Sequence, residues 1–203
     1  MRRTKEEAAQ TRQALLDAAL QVFSQQGYQA ARLQDIAKAA GVTRGAIYHH
    51  FGSKAELFNT LMDEASAQES GAIEAAIAEG GSLVEIMARI LRNSLGLLET
   101  DRRLRQVFEL SSFKAGNDPE LVEVQRKRVE QTELLVAGTS AIMAQGIASG
   151  ELRAGLDPNT VARAFIAYQN GVVTLWLANR EAFSLQAKAA DFADIFIHGL
   201  AAR

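Results

Sequence analysis

Leu33-Gln34-Asp35-Ile36-Ala37-Lys38-Ala39-Ala40-Gly41-Val42-Thr43-Arg44-Gly45-Ala46-Ile47-Tyr48-His49-His50-Phe51 reads as two short helices around a tight turn at Gly41. Glycine at that point permits the positive φ that a sharp turn needs. Ile36, Ala37, Val42, Ile47 and Phe51 have the spacing to pack together, and the small Ala37 and Ala46 let the two helices approach closely. This pattern predicts a helix-turn-helix whose second helix presents its N-terminal residues to base edges in the major groove.

Working outward, the other helices are legible from their stops. Thr11 to Gln26 carries Leu15, Ala18, Ala19, Val22 and Phe23 at helical spacing before Gly27, so the helix-turn-helix has an apolar stripe to pack against. Ser53 caps a long helix to about Glu79, Ser82 another to Thr100, and Asp101 a further one to Ala115. Asp118-Pro119 and Asp157-Pro158 each pair an N-cap with proline at the first helical position; they open helices to about Gly150 and Asn179. Ser184 caps the last, through about Leu200. With no two-residue alternation, the expectation is an all-α chain of about nine helices: a three-helix DNA-binding head over 1–53 and a helical ligand-binding and dimerisation body over 54–203. The boundary falls at the start of a long helix, with no flexible linker.

Charge and composition narrow the function. Residues 1–60 hold eight basic and five acidic side chains, within a chain of formal net charge −2. A basic head on an acidic body suits a DNA reader. There is no cysteine, and the histidines His49, His50 and His198 lack metal-ligand spacing. Ser111 and Ser112 have no histidine at a spacing that suggests a nucleophile, and acidic residues are scattered without pairing. No enzyme activity, catalytic residue, metal or cofactor is expected. The charged start and the lack of a long apolar run predict a cytoplasmic protein with no membrane partner. Arg2, Arg3 and Lys5 could form a basic N-terminal arm.

Each candidate DNA contact has a chemical reason. Thr43 is the expected N-cap of the second helix, where its hydroxyl and nearby backbone N–H groups suit a phosphate. Arg44 can donate two hydrogen bonds to guanine, and Gly45 lets the helix sit close to the bases. Tyr48 and His49 can donate to phosphate oxygens, and Lys54 adds a point charge.

The segment from Gly27-Tyr28 through Asp35-Ile36-Ala37, Ala40 to Lys54 and Leu57-Phe58 resembles the DNA-binding signature of the TetR/AcrR family. More faintly, Glu109 through Lys114, Arg126-Lys127-Arg128, Tyr168-Gln169-Asn170-Gly171 and Trp176 are similar to the body of the branch that represses multidrug efflux genes. The sequence departs from the family pattern at Ala31-Arg32, where Thr or Ser usually opens the first helix of the motif. Arg32 could supply a phosphate contact there instead, or simply be solvated.

The resemblance implies a homodimer on a pseudo-palindromic operator, relieved by a small hydrophobic or amphipathic ligand and controlling a multidrug efflux operon. It places a pocket on the helices that hold Phe108, Ser112, Phe113, Tyr168, Asn170, Thr174 and Trp176, and a dimer interface on the last two helices, with Phe165, Val172, Phe192 and Phe196. The residues alone leave two alternatives open. The body aromatics suit plain core as well as a pocket, and a ligand-independent architectural or division-associated DNA-binding protein would carry the same motif.

Overall fold

The computed structural model describes residues 5–115 and 118–200; Arg2 and Arg3 of the expected arm lie outside them. Within that range the chain is all-α, with nine α-helices and no strand. They are α1 (Lys5–Ala30), α2 (Leu33–Ala39), α3 (Arg44–Phe51), α4 (Lys54–Ala78), α5 (Leu83–Thr100), α6 (Arg102–Glu109), α7 (Val122–Ser149), α8 (Pro158–Ala178) and α9 (Leu185–His198). No helix among the described residues is long and apolar enough to cross a membrane.

The helix starts follow the expected cap chemistry almost throughout. Ser82 and Glu85 form a reciprocal capping box on α5, in which Ser82 N–H donates to the Glu85 carboxylate at 2.8 Å. The Asp157 carboxylate accepts from Thr160 N–H at 2.8 Å, and Ser184 Oγ accepts from Ala187 N–H at 3.0 Å. Thr43, expected to cap α3, makes no capping hydrogen bond; nor does Arg32 at the N-cap of α2, where the sequence has no Ser or Thr. The helix expected over Asp101–Ala115 is α6 followed by a π-helical turn at Leu110–Lys114, while Asp101 is the C-cap of α5. Likewise Asp118 caps a 3-10 turn, Pro119–Leu121, before α7 begins.

Contacts divide the chain into two units, one of residues 1–67 and 103–125, the other of residues 68–102 and 126–203. The functional boundary drawn at 53/54 and this contact division therefore differ: α4 begins at the first and runs unbroken across the division at 67/68. The first unit is centred on Leu15, Leu16, Phe23, Tyr28, Ile36, Ile47, Leu57 and Phe58, all at most 1% exposed. Phe23, Tyr28 and Phe58 pack with ring centres 5.2 to 5.9 Å apart, inside the range that favours tilted and edge-to-face aromatic contacts. Gly27 makes this possible. Its φ of +77° interrupts α1 and turns the chain so that Tyr28 enters the core, beyond the Gln26 end read from the sequence.

The second unit is organised on α5, which packs along α9. Met87, Leu91, Met143, Leu152, Val161, Phe165, Ala193 and Ile197 form its core. Burial pushes the Glu69 carboxyl up to about 7. A carboxyl raised in the folded state binds more protons than it does unfolded, so its ionisation on going from pH 5 to pH 8 destabilises the fold. Glu69→Gln should therefore raise the melting temperature at pH 8 and leave it unchanged at pH 5, as calorimetry would show. Ser82→Ala, by removing the capping box, should cost about 1 kcal/mol, a fall of roughly 2–4 °C in melting temperature.

Candidate nucleic-acid interface

Helix α3 buries Ile47 and Phe51 and leaves Thr43, Arg44, Gly45, Tyr48 and His49 exposed. The pattern follows from the helical period: Ile47 and Phe51 stand four residues apart on the inner face, Arg44 and Tyr48 four apart on the outer. On that outer face the Arg44 guanidinium donates to the Tyr48 hydroxyl at 2.7 Å and lies 5.4 Å from the centre of its ring. This stack holds a planar, five-donor group along the helix surface. The Thr43 hydroxyl, free of a capping bond, lies 3.8 Å from where a Cβ on Gly45 would stand. His49 is exposed, with its ring edge-on to His50 at 5.3 Å.

Beside α3 lies an open groove of about 710 Å³ lined by Ala31, Arg32, Leu33, Gln34, Arg44, Tyr48, Ser53, Lys54, Ala55 and Glu120. The structure thus brings Arg32, Arg44, Tyr48 and Lys54 to one concave surface. Arg32 is exposed and is the N-cap of α2. Lys54 is placed differently from a free point charge, its side chain being only 16% exposed. Its ammonium donates to the Tyr28 carbonyl at 3.2 Å, lies 4.2 Å from the centre of the Tyr28 ring and is 3.8 Å from Glu120 Oε2. Tyr28 in turn donates its hydroxyl to Glu120 at 3.0 Å. Burial, together with the carboxylate beside it, holds that hydroxyl far above the ordinary phenol range, so it stays a donor. The sequence offered no signal for Glu120, which is far from the motif in the chain.

A second ionic chain fixes α1 and α4 in the same unit. Arg12 pairs with Glu64 at 3.1 Å and covers the Phe51 ring at 5.3 Å. Arg103 pairs with Glu64 at 3.2 Å and with Asp17. Lys114, on the π-helical turn, donates to the Ser24 carbonyl at 2.7 Å. Arg103, Lys114 and Glu120 therefore brace α1 and α4, the helices on either side of the helix-turn-helix, by direct contact, which no local sequence pattern indicated.

The expected pocket residues fall in different surroundings. Phe108 is half-buried, while Ser112 and Phe113 are exposed on or beside the π-helical turn of the first unit, with Phe113 50% exposed. In the second unit Tyr168 donates its hydroxyl to the Phe192 carbonyl at 2.9 Å, and Asn170 and Thr174 are exposed. Trp176 is core; it is 3% exposed and donates its ring N–H to the Phe183 carbonyl at 3.1 Å. The expected dimer residues belong largely to the protomer's own packing. Phe165 and Val172 are buried, Phe196 stacks on Phe165 and Tyr168 at 5.5 and 5.1 Å, and Phe192 meets Phe183 at 5.8 Å. What α8 and α9 turn outward is Leu175, 70% exposed, and Ile195, 66% exposed. Among the described residues no group of three histidines or acidic residues could hold a metal.

Comparison with known proteins gives a consistent result. Residues 15–61 match the family described as bacterial regulatory proteins, tetR family, and residues 83–202 match the MAATS-type transcriptional repressor, C-terminal region. The chain is 34% identical over 180 residues to the HTH-type transcriptional regulator TtgR of Pseudomonas putida, covering 87% of this chain and 85% of that protein. Its structure is similar to the crystal structure of NalD, the secondary repressor of the MexAB-OprM multidrug efflux pump in Pseudomonas aeruginosa (TM-score 0.85, 25% identity, 95% and 97% covered). It is also similar to a SmeT–triclosan complex (TM-score 0.79, 25% identity, 94% and 91% covered).

The geometry at Gly45 separates folding from recognition. A methyl group there meets nothing closer than 3.8 Å, so Gly45→Ala should leave the melting temperature unchanged or higher. If the helix must lie against the bases, the same change should weaken DNA binding by about tenfold, the scale of one lost base contact. Thermal unfolding and fluorescence anisotropy on one preparation would read both.

Proposed function

The chain belongs to the TetR family of bacterial regulatory proteins, as a transcriptional repressor rather than an enzyme, and on that premise we propose that it binds a pseudo-palindromic operator as a homodimer and is released by a small hydrophobic or amphipathic inducer. The observation that carries the DNA half is the exposed Arg44–Tyr48 face of α3 beside a groove that also gathers Arg32 and Lys54. Arg44 reads guanine and Gly45 admits the helix to the bases. Thr43, Tyr48, His49, Arg32 and the partly covered Lys54 hold phosphates. Base contacts specify sequence, whereas phosphate contacts set register and affinity.

Dimerisation supplies what one short helix lacks. Two copies of α3 about one DNA turn apart read twice the sequence and fix the spacing of the half-sites. The face we assign to the partner copy is the exposed stripe Ala164, Ala167, Gly171 and Leu175 on α8 with Ile195 on α9. Its small residues permit close helix packing. This replaces Phe165 and Val172, which the protomer already buries.

For the inducer, α4 is the transmitting element, because it continues without a break from Lys54 to Ala78. A ligand that shifts α4 would put the two α3 helices out of step with successive major grooves. Swinging occupancy from 1:99 to 99:1 requires the ligand to favour the released state by about 10⁴-fold. Triclosan in the SmeT complex gives the size and polarity class of such a ligand, and the efflux repressor NalD supports efflux genes as the target. A regulator that binds DNA in a bacterial cell works in the cytoplasm, and that is where we assign it.

Arg44→Ala should keep salt-dependent affinity for any duplex while losing roughly 1–3 kcal/mol of discrimination at the guanine it reads; competition binding with single-base operator variants would show this. A sequence preference that survives the change would contradict the assignment. Leu175→Glu with Ile195→Glu should convert the dimer to a folded monomer in sedimentation analysis, since both side chains lie outside the protomer core.

A further inference from the structure

The groove beside α3 contains one acidic side chain among its basic ones: Glu120 lines it together with Arg32, Arg44 and Lys54. An acid is out of place on a surface that must receive polyphosphate. Its position is nevertheless held firmly. Asp118 Oδ1 accepts from the Glu120 backbone N–H at 2.9 Å, and Pro119 fixes the turn at its first residue. A single oxygen, Oε2, both accepts the Tyr28 hydroxyl at 3.0 Å and stands 3.8 Å from the Lys54 ammonium. The Glu120 side chain is 61% exposed and that of Lys54 16%, so the pair is open to solvent and to exchange on its carboxylate side.

A structural role would not require the charge. A glutamine in the same place would accept the Tyr28 hydroxyl through its amide oxygen and fill the same volume. What the charge adds is competition, because a carboxylate and a phosphate oxygen offer the same kind of acceptor to the same ammonium. On the reading of the groove as a DNA face, we propose that Glu120 is an affinity-setting residue: it occupies Lys54 in the DNA-free protein, and a DNA phosphate must displace it. The Pro119–Leu121 turn that carries Glu120 leads directly into α7, so any shift of this turn changes how much of the Lys54 charge is open to DNA.

The test uses the full chain and a fluorescently labelled duplex of random sequence, because the competition is with phosphate and not with bases. Glu120→Gln should bind about two- to fivefold more tightly at low salt, the range of an exposed ion pair, with the gain fading as salt rises. Glu181→Gln removes a charge from the loop between α8 and α9 and should leave affinity unchanged. In a Lys54→Met background the gain from Glu120→Gln should vanish. The proposal is overturned if Glu120→Gln, at an unchanged melting temperature, binds equally or more weakly. Equal tightening by Glu181→Gln, or a gain that persists without Lys54, overturns it as well. A parent protein with no affinity for duplex at low salt would remove the DNA reading and this inference together, whereas a parent that binds and a Glu120→Gln variant that does not respond remove this inference alone.

Discussion

The Lys54 ammonium rests 4.2 Å from the centre of the Tyr28 ring and 3.2 Å from the Tyr28 carbonyl, and the surface we assign to DNA depends on that seat. Gly27 makes it possible by turning the chain at positive φ, which brings Tyr28 into the core between Phe23 and Phe58. A cation over an aromatic face gains when water is partly excluded, as it is here. Lys54 is the first residue of α4, and only Gly52 and Ser53 separate it from α3. Fixing Lys54 therefore fixes where α3 ends, and with it the outward direction of Arg44 and Tyr48.

Around this seat, opposed charges divide the work. The face formed by α3 and the start of α2 keeps basic side chains exposed, and elsewhere in the same unit cations are tied down. Arg12 and Arg103 share Glu64, and Lys114 caps the Ser24 carbonyl. Exposed pairs of this kind contribute little individually, but they link α1, α4 and the segment after α5 at several points. Arg32 and Arg44, left exposed, are cations we assign to DNA, and an attraction to phosphate of this kind falls with salt.

The helix-turn-helix was legible because its evidence is local. Ile36, Ala37, Ile47 and Phe51 lie within one short window, and all are buried as their spacing implies. Cap residues before α5, α8 and α9 were legible for the same reason. The rest required long-range knowledge. Lys54 and Tyr28 are far apart in sequence, and Glu120 is farther still, so nothing nearby marked Lys54 as partly covered or Glu120 as part of the groove. The dimer residues show a different limit. Helix α8 is apolar on two faces, and Phe165 and Val172 on one cannot be told by periodicity from Ala164, Gly171 and Leu175 on the other. Only the packing of Phe196 against Phe165 and Tyr168 shows which face the protomer keeps. The π-helical turn at Leu110–Lys114 had no sequence signal either, since its residues continue a helical pattern.

The central claim is that two copies of α3 enter successive major grooves of one operator. Hydroxyl-radical and DNase footprinting of the purified protein on the DNA upstream of its own gene tests this most directly. The account predicts a short protected inverted repeat whose half-site centres lie about one helical turn, or a whole number of turns, apart, with protection lost in Arg44→Ala. Broad, continuous protection without a repeat, unchanged by Arg44→Ala, would contradict it.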